Sequence, residues 1–344
     1  MLPALPLKSL KLLSYREDFP SIAVLFPFNP KMSEKQELDI QLKRVLSKAE
    51  SAVLQKYSSD KSLEIILRLR QVMNRLNYNT HKKSVAILLS QSSDKTMYLD
   101  LSLKEYVEVA GDFSMRDLVL QKTSRDEFLV LVMEGDRSRI YDVDNNTFKL
   151  VLEQPRSILR QLDYGLSVLR ANNPFPVIVM GAKKLLFEFS KFTANASGIV
   201  QYISSYKTGI AAGSIQKILA PYLNDQGKIF QLFLEQRLST ARDSDELVYG
   251  LENVQAESGR LHNGLLLVDR DFQPRTGFPP DPRTFYIHDE VDRLIEKTLA
   301  NGGDVELVDR ELLQEYGRIA LIQNRLAQGL VPNQRCGEES CFEI

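Results

Sequence analysis

The stretch VDRLIEKTLANGGDVELVDRELLQEYGRIALIQ, Val291 to Gln323, decides the fold class. Its apolar residues first recur at helical spacing and then form two short strand-like runs, DVELVD and RIALIQ, separated by a second short helix. Gly302 and Gly303, the only Gly-Gly pair in the chain, lie where the first helix gives way to a strand. Because glycine tolerates the left-handed conformation that ends many helices, we predict that this pair stops the helix that begins near Asp289.

The same alternation extends toward the N-terminus of this stretch. A helix over about 244–258 and the strand GLLLVD from Gly264 precede it, so residues 236–328 predict a C-terminal α/β/α sandwich. Beyond it, we expect residues 329–344 to be a disordered tail. Both cysteines, Cys336 and Cys341, fall in this tail. A single cysteine pair with no nearby histidine predicts neither a disulfide framework nor a zinc site.

Two more domains are predicted upstream. Residues 1–83 contain the strand SIAVLFPF from Ser21 and two helices that should form an antiparallel hairpin, the first opened by a capping box of Ser33 and Gln36. Residues 84–235 begin with β-rich runs and continue with a helix from Pro155, the strand PVIVMG, another helix and the strand IVQYI. The fold class is therefore α/β and multi-domain: a helix-hairpin segment, a mixed-sheet α/β middle domain and the C-terminal sandwich.

Composition describes an ordinary soluble globular chain. Of 344 residues, 43% are hydrophobic and 26% charged, and the longest apolar runs are strand-sized, far short of the roughly 20 residues that span a bilayer. Two early prolines interrupt the apolar N-terminus and no basic region precedes it, which argues against a secretion signal. We expect a cytoplasmic protein with no membrane partner.

Charge is unevenly distributed along the chain, although the net charge is only −1. Residues 1–83 carry +7, residues 84–235 are neutral, and residues 236–344 carry −8. A basic segment favours phosphate-rich partners, whereas an acidic one suits a protein partner. On the first predicted helix, Lys35, Lys43, Arg44 and Lys48 should project from the side opposite its apolar stripe, where they either follow an RNA backbone or form a plain solvated face.

Motifs for catalysis are absent from the sequence. It contains no dinucleotide fingerprint, P-loop, zinc-protease helix or nucleophile elbow, and no cofactor is expected. Asp142 and Asp144 are metal-ligand candidates on a β-hairpin; the other interpretation is that they are solvated hairpin ends. In YKTGIAAGS, Lys207 precedes a helix whose N-cap would be Ser214. This loop is either a weak phosphate site or an ordinary connection.

Three segments together resemble the archaeal and eukaryotic peptide-chain release factors and their Pelota relatives. DELVYGLENVQAESGRLHNGLLLVDRD and the stretch quoted first are similar to that family's C-terminal domain, and FPVIVMGAKKLLFEFSKF, 175–192, is similar to the end of its middle domain. The helix pair followed by SVAILLS and KEYVEVAGDFSMRDLVL is similar to a bacterial branch of release-factor-like proteins. The resemblance implies a translation factor. The candidates for RNA contact are then Lys183 and Lys184 in the segment similar to the middle domain, Lys207 in the loop described above, and Lys35, Lys43, Arg44 and Lys48.

The resemblance also exposes what this chain lacks. The family carries a Gly-Gly-Gln loop in its middle domain that acts on the ester bond of peptidyl-tRNA, and an Asn-Ile-Lys-Ser motif that reads stop codons. Neither motif occurs here, and the one Gly-Gly pair is followed by Asp304. The C-terminal domain also resembles the kink-turn-binding ribosomal-protein fold, but its negative charge argues against that mode of RNA binding.

The leading hypothesis is a protein that associates with the ribosome or tRNA, in rescue or inactivation of ribosomes, without its own peptidyl-tRNA hydrolysis. It would not be an enzyme, and its acidic C-terminal domain would meet a protein partner. Two other hypotheses are a metal-dependent enzyme acting on RNA through Asp142 and Asp144, and a non-catalytic interaction scaffold.

Overall fold

The computed structural model describes twelve stretches of the chain. They are residues 21–90, 93–109, 113–123, 127–134, 137–144, 147–155, 159–172, 175–204, 212–223, 226–258, 264–274 and 285–323. The chain divides into two compact units. One comprises Met1–Thr123 with Glu246–Ile344, and the other comprises Ser124–Asp245.

The first unit is built around an antiparallel sheet whose central strands are apolar at almost every position. Strands β1 (Ile22–Pro27), β2 (Ser84–Leu89), β3 (Asp94–Leu99) and β4 (Tyr106–Val109) are ordered β3-β2-β1-β4. Every residue of β2 and all but the last of β1 are buried. Strands without a polar alternation are covered on both faces, and both faces of this sheet are covered here.

A helical hairpin covers one face of this sheet. Helices α1 (Lys35–Lys56) and α2 (Ser59–Asn74) pack Val45, Ala49 and Leu69 against β1 and β2. On the outer side, Arg70 of α2 contacts Glu50 of α1 at 2.6 Å, as expected for antiparallel neighbours. The predicted hairpin is confirmed, but the predicted capping box is wrong. Helix α1 begins at Lys35 after the N-cap Glu34, with no side-chain cap.

The other face of the sheet packs against the last part of the chain. Helix α3 (Met115–Leu120) and residues of 246–323 share one apolar core with this face, and the core includes Leu25, Leu88, Leu118, Leu294 and Leu321. The elements of this last part are β10 (Leu247–Tyr249), α8 (Leu251–Glu257), β11 (Leu265–Asp269), α9 (Glu290–Ala300), β12 (Asp304–Val308), α10 (Arg310–Leu313) and β13 (Ile319–Ile322). Its sheet is ordered β10-β13-β11-β12.

Ion pairs lie beside this shared core and neutralise part of the negative charge of the C-terminal segment. Arg116 contacts Asp289 and Asp292, and Lys122 contacts Asp304 at 2.7 Å and Glu306 at 2.5 Å. Lys95 contacts Glu296. Five acidic side chains of the negative C-terminal segment are therefore bound by cations of residues 95–122.

The second unit has a mixed five-stranded sheet covered on both faces. The strands are β5 (Phe128–Glu134), β6 (Arg137–Asp144), β7 (Thr147–Pro155), β8 (Val177–Gly181) and β9 (Ile199–Ser204). Their order is β7-β6-β5-β8-β9, with antiparallel pairs from β7 to β5 and parallel pairs from β5 to β9. Helices α4 (Leu159–Asn172) and α5 (Lys183–Ser190) cover one face, and α6 (Ala212–Leu223) and α7 (Gln226–Asp243) cover the other.

These elements confirm the α/β multi-domain class but differ from several predicted boundaries. The two units are divided after residues 123 and 245, whereas the sequence suggested divisions after 83 and 235. The difference arises because β2 pairs with β1 and α7 continues to Asp243. The tail at 329–344 lies outside the described residues. Among the helices that are described, none is long and apolar enough to cross a bilayer.

Three local predictions are also wrong. Pro155 ends β7 and does not start a helix. The sequence predicted one helix over 244–258, but the first part of this range forms strand β10 and the helix begins only at Leu251. Helix α6 already includes Ser214, which was predicted as its N-cap.

Candidate nucleic-acid interface

The four predicted cations of α1 are all exposed, but they are not equivalent. Arg44 donates from Nε (3.1 Å) and Nη2 (2.6 Å) to Oε2 of Glu105, just before β4. Lys48 lies 3.5 Å from the other oxygen of the same carboxylate. These two cations therefore share one negative charge and help to hold α1 against the edge of the sheet.

Among these four predicted cations, Lys35 and Lys43 are uncommitted. Both are exposed, and neither makes an ion pair with the described residues. A free ammonium group on a solvated helix face can exchange its counterion for an RNA phosphate without first breaking an internal contact. Of the four predicted positions on α1, these two are therefore the better phosphate contacts.

The cations of the second unit lie on α5. This helix buries Leu185, Leu186 and Phe189 against the sheet, so its remaining face points to solvent. Lys183 and Lys184 form the start of that face and are exposed. Neither has an ion-pair partner among the residues that the structure describes.

Two side chains that the sequence interpretation did not single out complete this face. Phe187 is 61% exposed, and Nζ of Lys191 lies 4.1 Å from the centroid of its ring. Residues four apart are neighbours on a helix, so Lys183, Phe187 and Lys191 form one row. We call Lys183, Lys184, Phe187 and Lys191 the α5 stripe. The signal was present in the sequence as the spacing KKxxFxxxK.

Helix α4 lies beside α5 on the same face of the sheet and is joined to the segment that follows α5. Oδ1 of Asp163 accepts hydrogen bonds from Thr193 Oγ1 (2.6 Å) and Asn195 Nδ2 (2.9 Å), and Oδ2 accepts from the backbone N–H of Ala194 (2.9 Å). Buried polar groups that are fully hydrogen-bonded fix a single local arrangement. This network therefore fixes the end of α5 relative to α4. The outer side of α4 also exposes Tyr164.

The carboxylates considered as metal ligands occupy alternate positions on β6, so they lie on the same side of the strand. Asp142 is half-buried and Asp144 is exposed. Burial raises the pKa of Asp142, while the charge of Lys149 acts to lower it and that of Asp144 acts to raise it. Within the described stretches, no group of three or more His, Cys, Asp or Glu side chains is placed to hold a metal ion. Lys207 lies outside those stretches.

Comparison with known proteins gives no family assignment. No protein-family model and no curated protein matches the chain. Solved structures do match, among them the archaeal translation termination factor aRF1, at 13% identity over 92% of this chain and 97% of that chain, with a TM-score of 0.26.

Two further matches are of the same kind. The Pelota protein of Thermoplasma acidophilum is 11% identical over 72% of this chain and 82% of that chain, with a TM-score of 0.26. Dom34 of S. cerevisiae, a translation termination-like factor, is 13% identical over 70% of this chain and 86% of that chain, with a TM-score of 0.35. Scores this low do not assign a function, so the functional argument rests on the surfaces described above.

Proposed function

We propose that this chain is a release-factor-like protein that associates with the ribosome or tRNA through RNA phosphates and does not itself hydrolyse peptidyl-tRNA. The observation that carries the proposal is the α5 stripe, where Lys183, Lys184 and Lys191 lie on one exposed face without a carboxylate partner among the described residues. The resemblance of the sequence to release factors and Pelota gives the class of RNA. The proposal includes a cytoplasmic location.

The uncommitted cations of α1 support the same proposal. Lys35 and Lys43 add free positive charge in the first unit, and the α5 stripe belongs to the second unit. Each phosphate contact releases a condensed counterion, so affinity should fall with salt by a log–log slope of about −0.7 to −0.9 per contact. A handful of such contacts is enough for binding that is strong at low salt and weak at high salt.

The absence of hydrolysis is supported by the sequence between β7 and α4. In the family that the chain resembles, the catalytic Gly-Gly-Gln loop belongs to the middle domain. Only residues 156–158, Arg-Ser-Ile, separate β7 from α4. They contain no glycine. The Gly302–Gly303 pair lies in the other unit, where it ends a helix, so it does not form such a loop.

We also propose that the acidic C-terminal part meets a protein partner. Five of its acidic side chains already form ion pairs with Arg116, Lys122 and Lys95, so we do not expect them to contact the partner. Glu311 and Glu315 remain exposed, and a basic surface on the partner would complement them.

The test is co-sedimentation with ribosomes across a salt series. We expect the full chain to sediment with ribosomes at low salt and to be released as salt rises. The variant Lys183→Gln/Lys184→Gln should lower the magnitude of the salt slope by about 1.4 to 1.8, since each phosphate-contacting lysine contributes about 0.7 to 0.9. The variant Lys35→Gln/Lys43→Gln tests α1 in the same way.

Lys217→Gln is the matched control, because Lys217 is an exposed lysine of α6 on the other face of the same sheet. It should leave the slope unchanged. Arg44 and Lys48 are unsuitable for this test because both contact Glu105, so their loss would also alter packing. Wild-type protein that stays at the top of the gradient even at low salt would refute the proposal.

A further inference from the structure

We propose that the α5 stripe binds an unpaired nucleotide of RNA, whose base stacks on Phe187 while its neighbouring phosphates contact Lys183 and Lys184. The inference rests on the proposed function for the kind of ligand and adds its state, single-stranded and not duplex. It assigns a role to Phe187, which a purely electrostatic surface does not need.

The exposure of Phe187 is the first observation. Phe189, two residues later on the same helix, is completely buried, whereas 61% of Phe187 is exposed although Lys191 lies over its ring. Burying a phenylalanine side chain stabilises the folded protein because it removes a large apolar surface from water. Phe187 makes only a small part of that contribution, so a role in binding accounts better for an aromatic ring at this position.

The positions of the lysines are the second observation. Cations are unfavourable in the first turn of a helix and favourable at its end, because of the helix dipole. Lys191 follows the last turn of α5 and fits this rule. Lys183 and Lys184 occupy the first turn, which contains no acidic residue, so they oppose the dipole. Folding therefore does not account for them, whereas contact with a polyanion does.

The combination of ring and cations has a specific chemical match. An aromatic side chain stacks on the face of any base, and lysines beside it contact the backbone, which is how proteins bind single strands without reading sequence. In a duplex both faces of each base are covered by neighbouring pairs. A surface of this kind should therefore prefer unpaired RNA and tolerate any base.

The surroundings of α5 keep the stripe in place. The hydrogen bonds of Asp163 to Thr193, Ala194 and Asn195 fix the segment after Lys191, and Leu185, Leu186 and Phe189 anchor the inner face. A ring presented on an anchored helix loses little freedom when a ligand binds. The ring is therefore held ready for stacking.

The experiment measures binding of the full-length protein to two fluorescent RNAs, a single-stranded oligouridine and a blunt duplex of equal length. Wild type should prefer the single strand. Phe187→Leu keeps an apolar side chain but removes the ring, and it should weaken single-strand binding by about 5- to 150-fold, the range measured for loss of one stacked base. Duplex binding should not change, and Phe187→Tyr should behave as wild type.

Tyr249→Leu, which removes an exposed aromatic of the other unit, is the control and should have no effect. Circular dichroism checks that each variant is folded. If Phe187→Leu binds the single strand as wild type does, the contact with Lys191 is a local helix contact only and the inference is wrong.

The same variants separate this inference from the proposed function. Suppose that Phe187→Leu loses the preference for single-stranded RNA but that the wild-type protein never sediments with ribosomes. The stacking site would then stand, and the ribosomal role would be refuted. If ribosome binding is salt-sensitive but RNA binding does not depend on Phe187, the ribosomal role stands and the stacking site is refuted. Wild type that binds neither RNA nor ribosomes would refute both.

Discussion

At the scale of single residues, the turn between α9 and β12 shows two different uses of glycine. Gly302 has φ of +76°, the left-handed conformation that non-glycine residues adopt at a cost. Gly303 is required for space. A Cβ atom there would lie 2.7 Å from both the carbonyl oxygen of Gly264 and Cγ2 of Thr298. The predicted helix stop is confirmed, and the second glycine allows the chain to enter the sheet beside β11.

Gly303→Ala should therefore destabilise the first unit by about 1–3 kcal/mol, the usual range for an overpacked site. Denaturant unfolding followed by circular dichroism measures the change. Gly302→Asn is the matched control, because asparagine tolerates the left-handed conformation better than most residues, and it should cost less. Equal stability of Gly303→Ala and wild type would mean that the backbone relaxes around the added methyl group.

At the scale of elements, one arginine joins α3 to the start of α9 beside the apolar core that the two helices share. Nη1 of Arg116 lies 3.0 Å from Oδ1 of Asp292, and Nη2 lies 2.9 Å from Oδ2 of Asp289 and 2.9 Å from the carbonyl oxygen of Phe272. Asp292 is completely buried. Burial raises the pKa of Asp292 and the charge of Asp289 adds to this, whereas Arg116 and the backbone N–H of His288 lower it.

Arg116→Leu should destabilise the first unit at neutral pH by about 3–5 kcal/mol, because it leaves a buried charge without its partner. The loss should depend on pH. A carboxyl whose pKa is higher in the folded than in the unfolded protein binds protons more tightly when folded, so stability falls as pH rises above the unfolded value of about 3.9. Removing Arg116 raises that pKa further, so the difference from wild type should be larger at pH 7 than at pH 4.5 in urea unfolding.

The double variant Arg116→Leu/Asp292→Asn provides the control. The asparagine keeps an oxygen for the N–H of His288 but carries no charge, so it should recover much of the lost stability and flatten the pH dependence. If the double variant is as unstable and as pH-dependent as the single one, the buried charge of Asp292 is not the cause.

The outcome for individual elements shows which information the sequence contains. Local periodicity predicted β1, β8, β11, β12, α2 and α9, because each has its own apolar pattern. Pro155 misled the interpretation because proline suits the first turn of a helix, yet it is also tolerated at the end of an edge strand, and β7 is an edge strand. Strand β2 pairs with β1 although two helices separate them in sequence. A local apolar pattern does not predict such long-range pairing.

The candidate site was predictable to a similar extent. Residue type pointed to the cations of α1, and the family resemblance pointed to Lys183 and Lys184. Which of these are free depends on where Glu105 lies relative to Arg44 and Lys48, which is a tertiary contact. The role of Phe187 likewise depends on which face of α5 packs on the sheet, since Phe187 and Phe189 are the same residue type only two positions apart.

At the scale of the whole molecule, the second unit is continuous in sequence and contains its own apolar cores. Both clusters, one on each face of its sheet, are formed by residues of Ser124–Asp245 alone. A fragment of residues 124–245 should therefore fold by itself and unfold cooperatively. Thermal unfolding and amide-proton dispersion in NMR spectra measure this, and a fragment without dispersed signals would show that its cores are insufficient.

The first unit should behave in the opposite way when its two chain segments are separated. The sheet face that carries Leu25, Leu88 and Leu118 shares its core with Leu294 and Leu321 of the last segment. In a fragment of residues 1–123 that face loses its cover, and exposed apolar patches of this size promote association. We expect the fragment to bind a hydrophobic dye and self-associate in ultracentrifugation.

Adding a fragment of residues 246–344 should reverse both effects, because it restores the core and the partners of Lys95, Arg116 and Lys122. A monomeric 1–123 fragment that binds no dye would mean that the hairpin and its sheet need no cover from the C-terminal segment.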